Sequence, residues 1–235
     1  MSDYSLTTFG EGGELTQVRH ALTAVQNGET TVAIKAKNGV VIAAEKKLPT
    51  MLIDDSSIHK VCALSDYMGV TYSGIGPDFQ AVLLKMRKDM QVYHSKYMDR
   101  KVPYMVCKGV SDLIQEYTQS GGVRPFGIGM IVAGYDEELG PQIYQIEASG
   151  TFYSWKATAL GRGGSEARSF LERTYTDDMD IGDAEHTAIK ALANSFEGEM
   201  TERNIEIGVI KTSDPEKKFH ILDKQEVADL LKEVQ

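Results

Sequence analysis

Thr30-Thr31-Val32-Ala33-Ile34-Lys35-Ala36-Lys37-Asn38-Gly39-Val40-Val41-Ile42-Ala43-Ala44-Glu45 decides the fold. Two apolar runs flank a Lys-Asn-Gly turn. Asn-Gly between strand-like runs is a strong hairpin signal, because both residues accept positive φ. The hairpin opens a β-rich core, and 29 residues stand in front of Thr30.

Upstream, residues 1–14 are polar and Gly-rich, ending in Phe9-Gly10-Glu11-Gly12-Gly13-Glu14, so a mobile tail is expected. Leu15, Val18, Leu22 and Val25 then recur at helical spacing. This predicts a helix capped by Thr16, or begun just before it, and stopped at Asn27-Gly28.

Downstream, residues 61–64 and 68–72 read as strands. Asp78 is the expected N-cap of a long helix whose face carries Phe79, Val82, Leu83, Met86, Met90, Tyr93 and Tyr97. Pro103 opens a second helix, with Val106, Val110, Leu113, Ile114 and Tyr117 on its buried face, and Gly121-Gly122 stops it. Four more strands are expected at 128–133, 143–146, 152–153 and 157–160, then helices at 166–175 and 183–196. Strands at 205–210 and 219–222 and an amphipathic helix at 224–233 close the chain. Strands come in batches followed by helices, without βαβ alternation. That grouping is α+β, with antiparallel sheets and helices packed outside them. No linker divides the chain.

A net charge of -9 argues against a nucleic-acid partner. No apolar stretch approaches the roughly 20 residues that span a bilayer, so no membrane contact is expected. Met1-Ser2-Asp3-Tyr4 does not open a secretory signal. Cys62 and Cys107 lie far apart in apolar segments, as buried reduced thiols do, which fits the cytoplasm and nucleus. None of His20, His59, His94, His186 and His220 has a second ligand at metal spacing, and neither metal nor cofactor is expected. Gly161-Arg162-Gly163-Gly164-Ser165 joins a strand to a helix but lacks the Gly-Lys-Ser/Thr ending of a P-loop. It reads as a turn with Ser165 as N-cap.

The motifs then run in order along nearly the whole chain: Tyr4-Ser5-Leu6-Thr7-Thr8-Phe9, Ile34-Lys35-Ala36, Asn38-Gly39-Val40-Val41, Glu45-Lys46-Lys47, Ser57-Ile58-His59-Lys60-Val61 and Ser73-Gly74-Ile75-Gly76-Pro77-Asp78. Most specific are Gln119-Ser120-Gly121-Gly122-Val123-Arg124-Pro125-Phe126-Gly127, Trp155-Lys156-Ala157-Thr158-Ala159 and Phe196-Glu197-Gly198-Glu199-Met200-Thr201-Glu202. Together they resemble the α-type subunits of the 20S proteasome. The resemblance implies one domain over 1–235: a gate tail (1–14), a ring-contact helix (15–27) and a four-layer αββα core of the N-terminal nucleophile hydrolase type (30–235). It implies a heptameric ring of neighbouring α subunits on a ring of β subunits, regulatory-particle ATPases or other activators as partners, and unfolded protein in transit.

Active members of that fold use a free N-terminal Thr, its hydroxyl activated by its own α-amine. Counting back from Val32 puts Glu29 at that position. Thr30 and Thr31 are internal, with amide nitrogens that are no base. Glu45 and Lys60 match the tuning residues of active members but read here as fold-retained, so no catalytic residue is expected. The rival reading is a threonine hydrolase released by cleavage before Thr30 or Thr31. Active precursors place Gly directly before the Thr, whereas Gly28 is followed by Glu29. A stand-alone amidohydrolase of the same fold would need Ser, Cys or Thr at its mature N-terminus.

By resemblance, Gly28, Lys60 and Ile75 form a pocket for an activator's C-terminal carboxylate. The alternative for Lys60 is a local pair with Asp54 or Asp55. Ser120, Gly121, Gly122, Val123, Arg124, Pro125 and Phe126 would line the substrate port. Ser2, Asp3, Tyr4, Phe9, Glu11 and His20 fall in the gate. Here the chain departs from the family: Glu11 stands for Pro, His20 for Tyr, and charge is inverted at Glu14 and Arg19.

Overall fold

The computed structural model describes residues 9–50 and 52–234. In chain order the elements are α1 (Thr16–Gln26), β1 (Thr31–Ala36), β2 (Gly39–Glu45), β3 (Val61–Ser65), β4 (Met68–Gly74), α2 (Gly76–Tyr97), α3 (Pro103–Gln119), β5 (Ile128–Asp136) and β6 (Gly140–Ile146). There follow β7 (Phe152–Ser154), β8 (Ala157–Leu160), α4 (Gly164–Thr174), α5 (Ile181–Ala193), β9 (Ile205–Lys211), β10 (Phe219–Ile221) and α6 (Lys224–Val234).

The opening hairpin pairs antiparallel from Thr31 opposite Ala44 to Ala36 opposite Gly39. Its turn differs from expectation: neither Asn38 nor Gly39 has positive φ. Neighbours set the turn instead. The Lys37 N–H donates to the Met179 carbonyl (3.0 Å), and the Asn38 carbonyl accepts from the Thr212 N–H (2.9 Å). Glycine is needed at 39 for closeness, since a Cβ there would lie 2.3 Å from the Ile210 carbonyl oxygen.

Two antiparallel sheets form, ordered β10-β9-β2-β1-β8 and β3-β4-β5-β6-β7. Successive side chains of a strand point to opposite faces. On β1, Val32, Ile34 and Ala36 therefore meet the layer of α4, α5 and α6, while Ala33 meets the core between the sheets. On β5, Met130 and Val132 meet α2 and α3, while Ile131 and Ala133 turn to the inter-sheet core. Strands buried on both faces explain the unbroken apolar runs. The result is a four-layer αββα sandwich of the N-terminal nucleophile hydrolase type.

The expected caps Asp78 and Ser165 are wrong, and α1 begins from Leu15, just before Thr16, rather than being capped by Thr16. Ile75, Gly163 and Leu15 occupy the N-cap positions of α2, α4 and α1, none with a side-chain cap bond. Asp78 lies inside the first turn of α2, Ser165 inside α4, and Thr16 is the first residue of α1. On α2, Tyr93 is half-buried and Tyr97 exposed, so the buried face stops at Met90. From α1, Ala21 and Val25 enter the inter-sheet core, and the Val25 carbonyl accepts from Ser73 Oγ (2.9 Å). Leu15, Val18 and Leu22 stay half-buried.

Candidate functional site

The start of β1 is spent on structure. The Thr30 N–H is a peptide amide that donates to Glu45 Oε2 at 3.3 Å. Its hydroxyl accepts from the Gly163 N–H at 3.1 Å. Glu45 is buried, and its other oxygen receives Arg162 Nη2 at 3.0 Å. Arg162 also reaches Glu197 Oε2 at 3.4 Å. No free amine stands beside the hydroxyl, so the nucleophile–base pair of a threonine hydrolase is not present here.

Gly28 packs against Gly74, the residue before Ile75, and Lys60 reaches Glu29, the residue after Gly28. Gly28 presses on the end of β4, where a Cβ would lie 2.3 Å from the Gly74 nitrogen, directly before Ile75. Lys60 Nζ lies 3.0 Å from Glu29 Oε2, next to Gly28, and 3.8 Å from the centroid of the Tyr72 ring. The Lys60 side chain is only 4% exposed, against 29% for Glu29. Burial pushes the Lys60 ammonium below its ordinary value, against the opposing charges of Glu29, Glu45 and Glu206. Burial also works to raise the Glu29 carboxyl, but the charge and hydrogen bond of Lys60 outweigh it and leave it lowered. Burial, with Glu29 adding to it, raises the Tyr72 phenol to about 12, so it stays neutral under the ammonium.

The segment before β3 is held by Glu206, whose Oε2 accepts from the Lys60 and Val61 N–H groups at 2.6 and 3.0 Å. The local partners considered for Lys60 are engaged elsewhere. Asp54 accepts from the Ser56 N–H, and Asp55 pairs with Lys224 at 2.8 Å. The sequence places Glu29 at the head of the strand but does not pair it with Lys60. The available signal was a lone acid next to Gly28 at the head of an apolar strand.

The port loop has its own anchor. Ser120 ends α3, Gly122 takes φ 81°, Val123 is half-buried, Arg124 is exposed, and Pro125 and Phe126 are buried. Gly121 is exposed and keeps a negative φ. Arg124 grips Asp78 with both nitrogens, Nη1 to Oδ2 at 2.7 Å and Nη2 to Oδ1 at 2.8 Å. The Gly127 N–H donates to Asp78 Oδ2 at 3.0 Å, and the Phe126 and Tyr117 rings stand 4.5 Å apart. Hydrogen bonding from Arg124 lowers the Asp78 carboxyl, against burial and with help from Gly127. The Gly127 carbonyl in turn accepts the Ile75 N–H at 2.9 Å. The Gly74–Ile75 segment and the end of this loop thus share one backbone junction, which the sequence did not disclose.

Of the gate residues, Ser2, Asp3 and Tyr4 lie outside the described residues. Phe9 is exposed and forms an isolated bridge with Leu15; Glu11 and His20 are exposed. The inverted charges at Glu14 and Arg19 face each other at 2.6 Å. Among the described residues no cluster of His, Cys, Asp and Glu could hold a metal, and no helix is long and apolar enough to cross a membrane.

Comparison with known proteins agrees with this geometry. The family described as "Proteasome subunit" matches residues 25–210. The chain is 47% identical over 232 residues to the proteasome subunit alpha type-2 of Oryza sativa subsp. indica, covering 99% of this chain and 97% of that one. It is 49% identical over 232 residues to the proteasome subunit alpha type-2-B of Arabidopsis thaliana, with the same coverage. To the probable proteasome subunit alpha type-2 of Schizosaccharomyces pombe it is 45% identical over 240 residues, covering 98% of each.

Proposed function

The chain belongs to the proteasome subunit family, and from that premise we propose that it docks activators and shapes the substrate port of the 20S core particle. It is a non-catalytic α-type subunit of the outer ring and assembles with other proteasome subunits in protein degradation. One observation carries the non-catalytic reading from the geometry: the Thr30 nitrogen is an amide bound to Glu45, and its hydroxyl is held by Gly163. Changing Thr30 and Thr31 together to Val is expected to leave every peptidase activity of the assembled particle intact. Loss of one activity with normal rings would restore the hydrolase reading. So would an intact mass shortened by residues 1–29 or 1–30.

The finer assignment concerns partners. The tail and the loop 120–126 narrow the axial port through which unfolded protein passes toward the β subunits. The half-buried Leu15, Val18 and Leu22 of α1 offer apolar surface to neighbouring α subunits. Gly28, Lys60 and Ile75 receive the C-terminal tail of a regulatory-particle ATPase or another activator. Gly28 packed against the residue before Ile75, Lys60 held by the residue after Gly28, and the exposure of Ile75 support the docking role. Two free, buried cysteines fit work in the cytoplasm and nucleus. Lys60→Ala is expected to weaken tail binding at this pocket; unchanged binding there would remove Lys60 from the assignment.

A further inference from the structure

We propose that Glu29 is a built-in competitor of the activator tail: its carboxylate holds the ammonium that an incoming C-terminal carboxylate needs. The proposal rests on the docking reading of the Gly28–Lys60–Ile75 pocket and sets its selectivity. Glu29 Oε2 already lies 3.0 Å from Lys60 Nζ. Of the two side chains, Lys60 is enclosed and the half-buried Glu29 is the more open. A carboxylate coming from outside therefore meets a like charge before it meets Lys60. The centroid of the Tyr72 ring lies 3.8 Å from the same ammonium. Glu45 and Glu206 already act on the same ammonium, so a further acid adds to an environment rich in carboxylates. Lys47 is the cation whose charge acts on Glu29 from the solvent side.

The backbone around Glu29 is held by close neighbours, and its side chain is part-exposed. The Gly28 carbonyl accepts the Arg162 N–H at 2.8 Å. The Glu29 carbonyl is so close to Gly161 that a Cβ there would stand 2.4 Å from its oxygen. Displacing Glu29 requires side-chain rotation alone, into water on its exposed side. The exchange conserves charge: one carboxylate leaves the ammonium as another arrives. The pocket thus discriminates weakly between a tail ending in a free carboxylate and one ending in a carboxamide. Removing Glu29 creates that discrimination.

The test uses assembled particles carrying wild-type chain, Glu29→Ala, Glu29→Gln, Lys60→Ala or the double variant Glu29→Gln with Lys60→Ala. The probes are heptapeptides matching the C-termini of regulatory ATPases, each made with a free carboxylate and as the carboxamide. A photoreactive residue near the C-terminus lets labelling of this chain report this pocket alone. Both Glu29 variants are expected to raise labelling affinity for the free acid about tenfold, with the carboxamide unchanged. The double variant is expected to lose the gain. Glu29→Gln keeps the side chain's shape, and so decides the matter if Glu29→Ala does not assemble. Equal, Lys60-dependent labelling of wild type and Glu29 variants would overturn the competitor role and leave the docking pocket standing. Labelling that is absent, or indifferent to Lys60 in every particle, would overturn both.

Discussion

The surroundings of Lys60 and the loop 120–126 each rest on one ion pair, built in opposite order. At Lys60 the cation is enclosed (4% exposed) and its acid, Glu29, is open at 29%. At the loop the acid Asp78 is enclosed (10%) and its cation, Arg124, is open at 57%. The enclosed member is the one the fold commits to a place. Asp78 has further support there, from the Gly127 N–H and from its position in the first turn of α2, where the helix dipole favours an anion. The charges of Glu45 and Glu206 favour the Lys60 ammonium, but its one hydrogen-bonded acid is Glu29. The loop pair is a structural clamp, whereas the pocket pair leaves an enclosed charge dependent on a replaceable partner.

The largest expected effect follows from that dependence. Glu29→Ala strands the enclosed ammonium. Losing one partner of a buried pair costs about 3–5 kcal/mol, and the remaining acids put this case near the lower end, about 3 kcal/mol. Lys60→Met strands only a carboxylate that can turn to water, with a loss expected below about 1 kcal/mol. Thermal unfolding of the two variants measures the asymmetry. Equal losses would erase the distinction between the sites.

At the loop the ranking of enclosed over open member is expected to hold with smaller numbers. Asp78→Ala leaves the buried Gly127 N–H without its acceptor, at a cost of about 2 kcal/mol. Arg124→Ala leaves Asp78 supported by that N–H and by α2, and is expected to cost about 1 kcal/mol. Urea midpoints at constant m would show the order. An Arg124→Ala loss as large as that of Glu29→Ala would mean that the helix terminus does not support Asp78.

How much of this was readable from the sequence depends on the range of the forces involved. The hairpin, both strand batches and the two long helices follow from local apolar patterning, and their existence was legible. Details fixed by distant neighbours were not. The Asn38-Gly39 turn answers to Met179, Ile210 and Thr212 rather than to its own φ preferences. Asp78 looked like a cap because capping is local chemistry, but its carboxylate is claimed by Arg124, 46 residues on. Glu29 and Lys60 meet across 31 residues, through the Gly28 joint against β4. The motifs pointed to Gly28, Lys60 and Ile75; only folding shows that Lys60 is the enclosed one.

Acid pH probes both pairs in one measurement, with a smaller effect. Glu29 and Asp78 are both lowered in the folded chain, from ordinary values of 4.5 and 3.8. An acid lowered by folding binds fewer protons in the native state than in the unfolded one, so its stabilisation is complete above its unfolded value. It fades as pH falls through the lowered native value. Unfolding free energy measured from pH 6 downward is therefore expected to be flat until about pH 5 and then to fall. Lys60→Met and Arg124→Ala should each remove part of that slope. A variant with the full wild-type slope would show that its pair is not what lowers the acid.

The smallest effect belongs to the pair with no enclosed member. Glu14 and Arg19 lie 2.6 Å apart with side chains 52% and 57% exposed, so the contact is close but solvated. Exposed pairs of this kind couple by about 0.2–1 kcal/mol. Arg19 also sits near the N-terminus of α1, whose first turn carries no acid, where the helix dipole disfavours a cation. Glu14→Arg alone is expected to lose about 0.5 kcal/mol. The double exchange, Glu14→Arg with Arg19→Glu, keeps the pair and reverses its order. It keeps the attraction and turns the dipole in its favour, so it is expected to be at least as stable as the wild type. A double-mutant cycle at low and high salt decides the point. A coupling that survives high salt, or one above about 2 kcal/mol, would show that enclosure does not set the ranking of the three pairs.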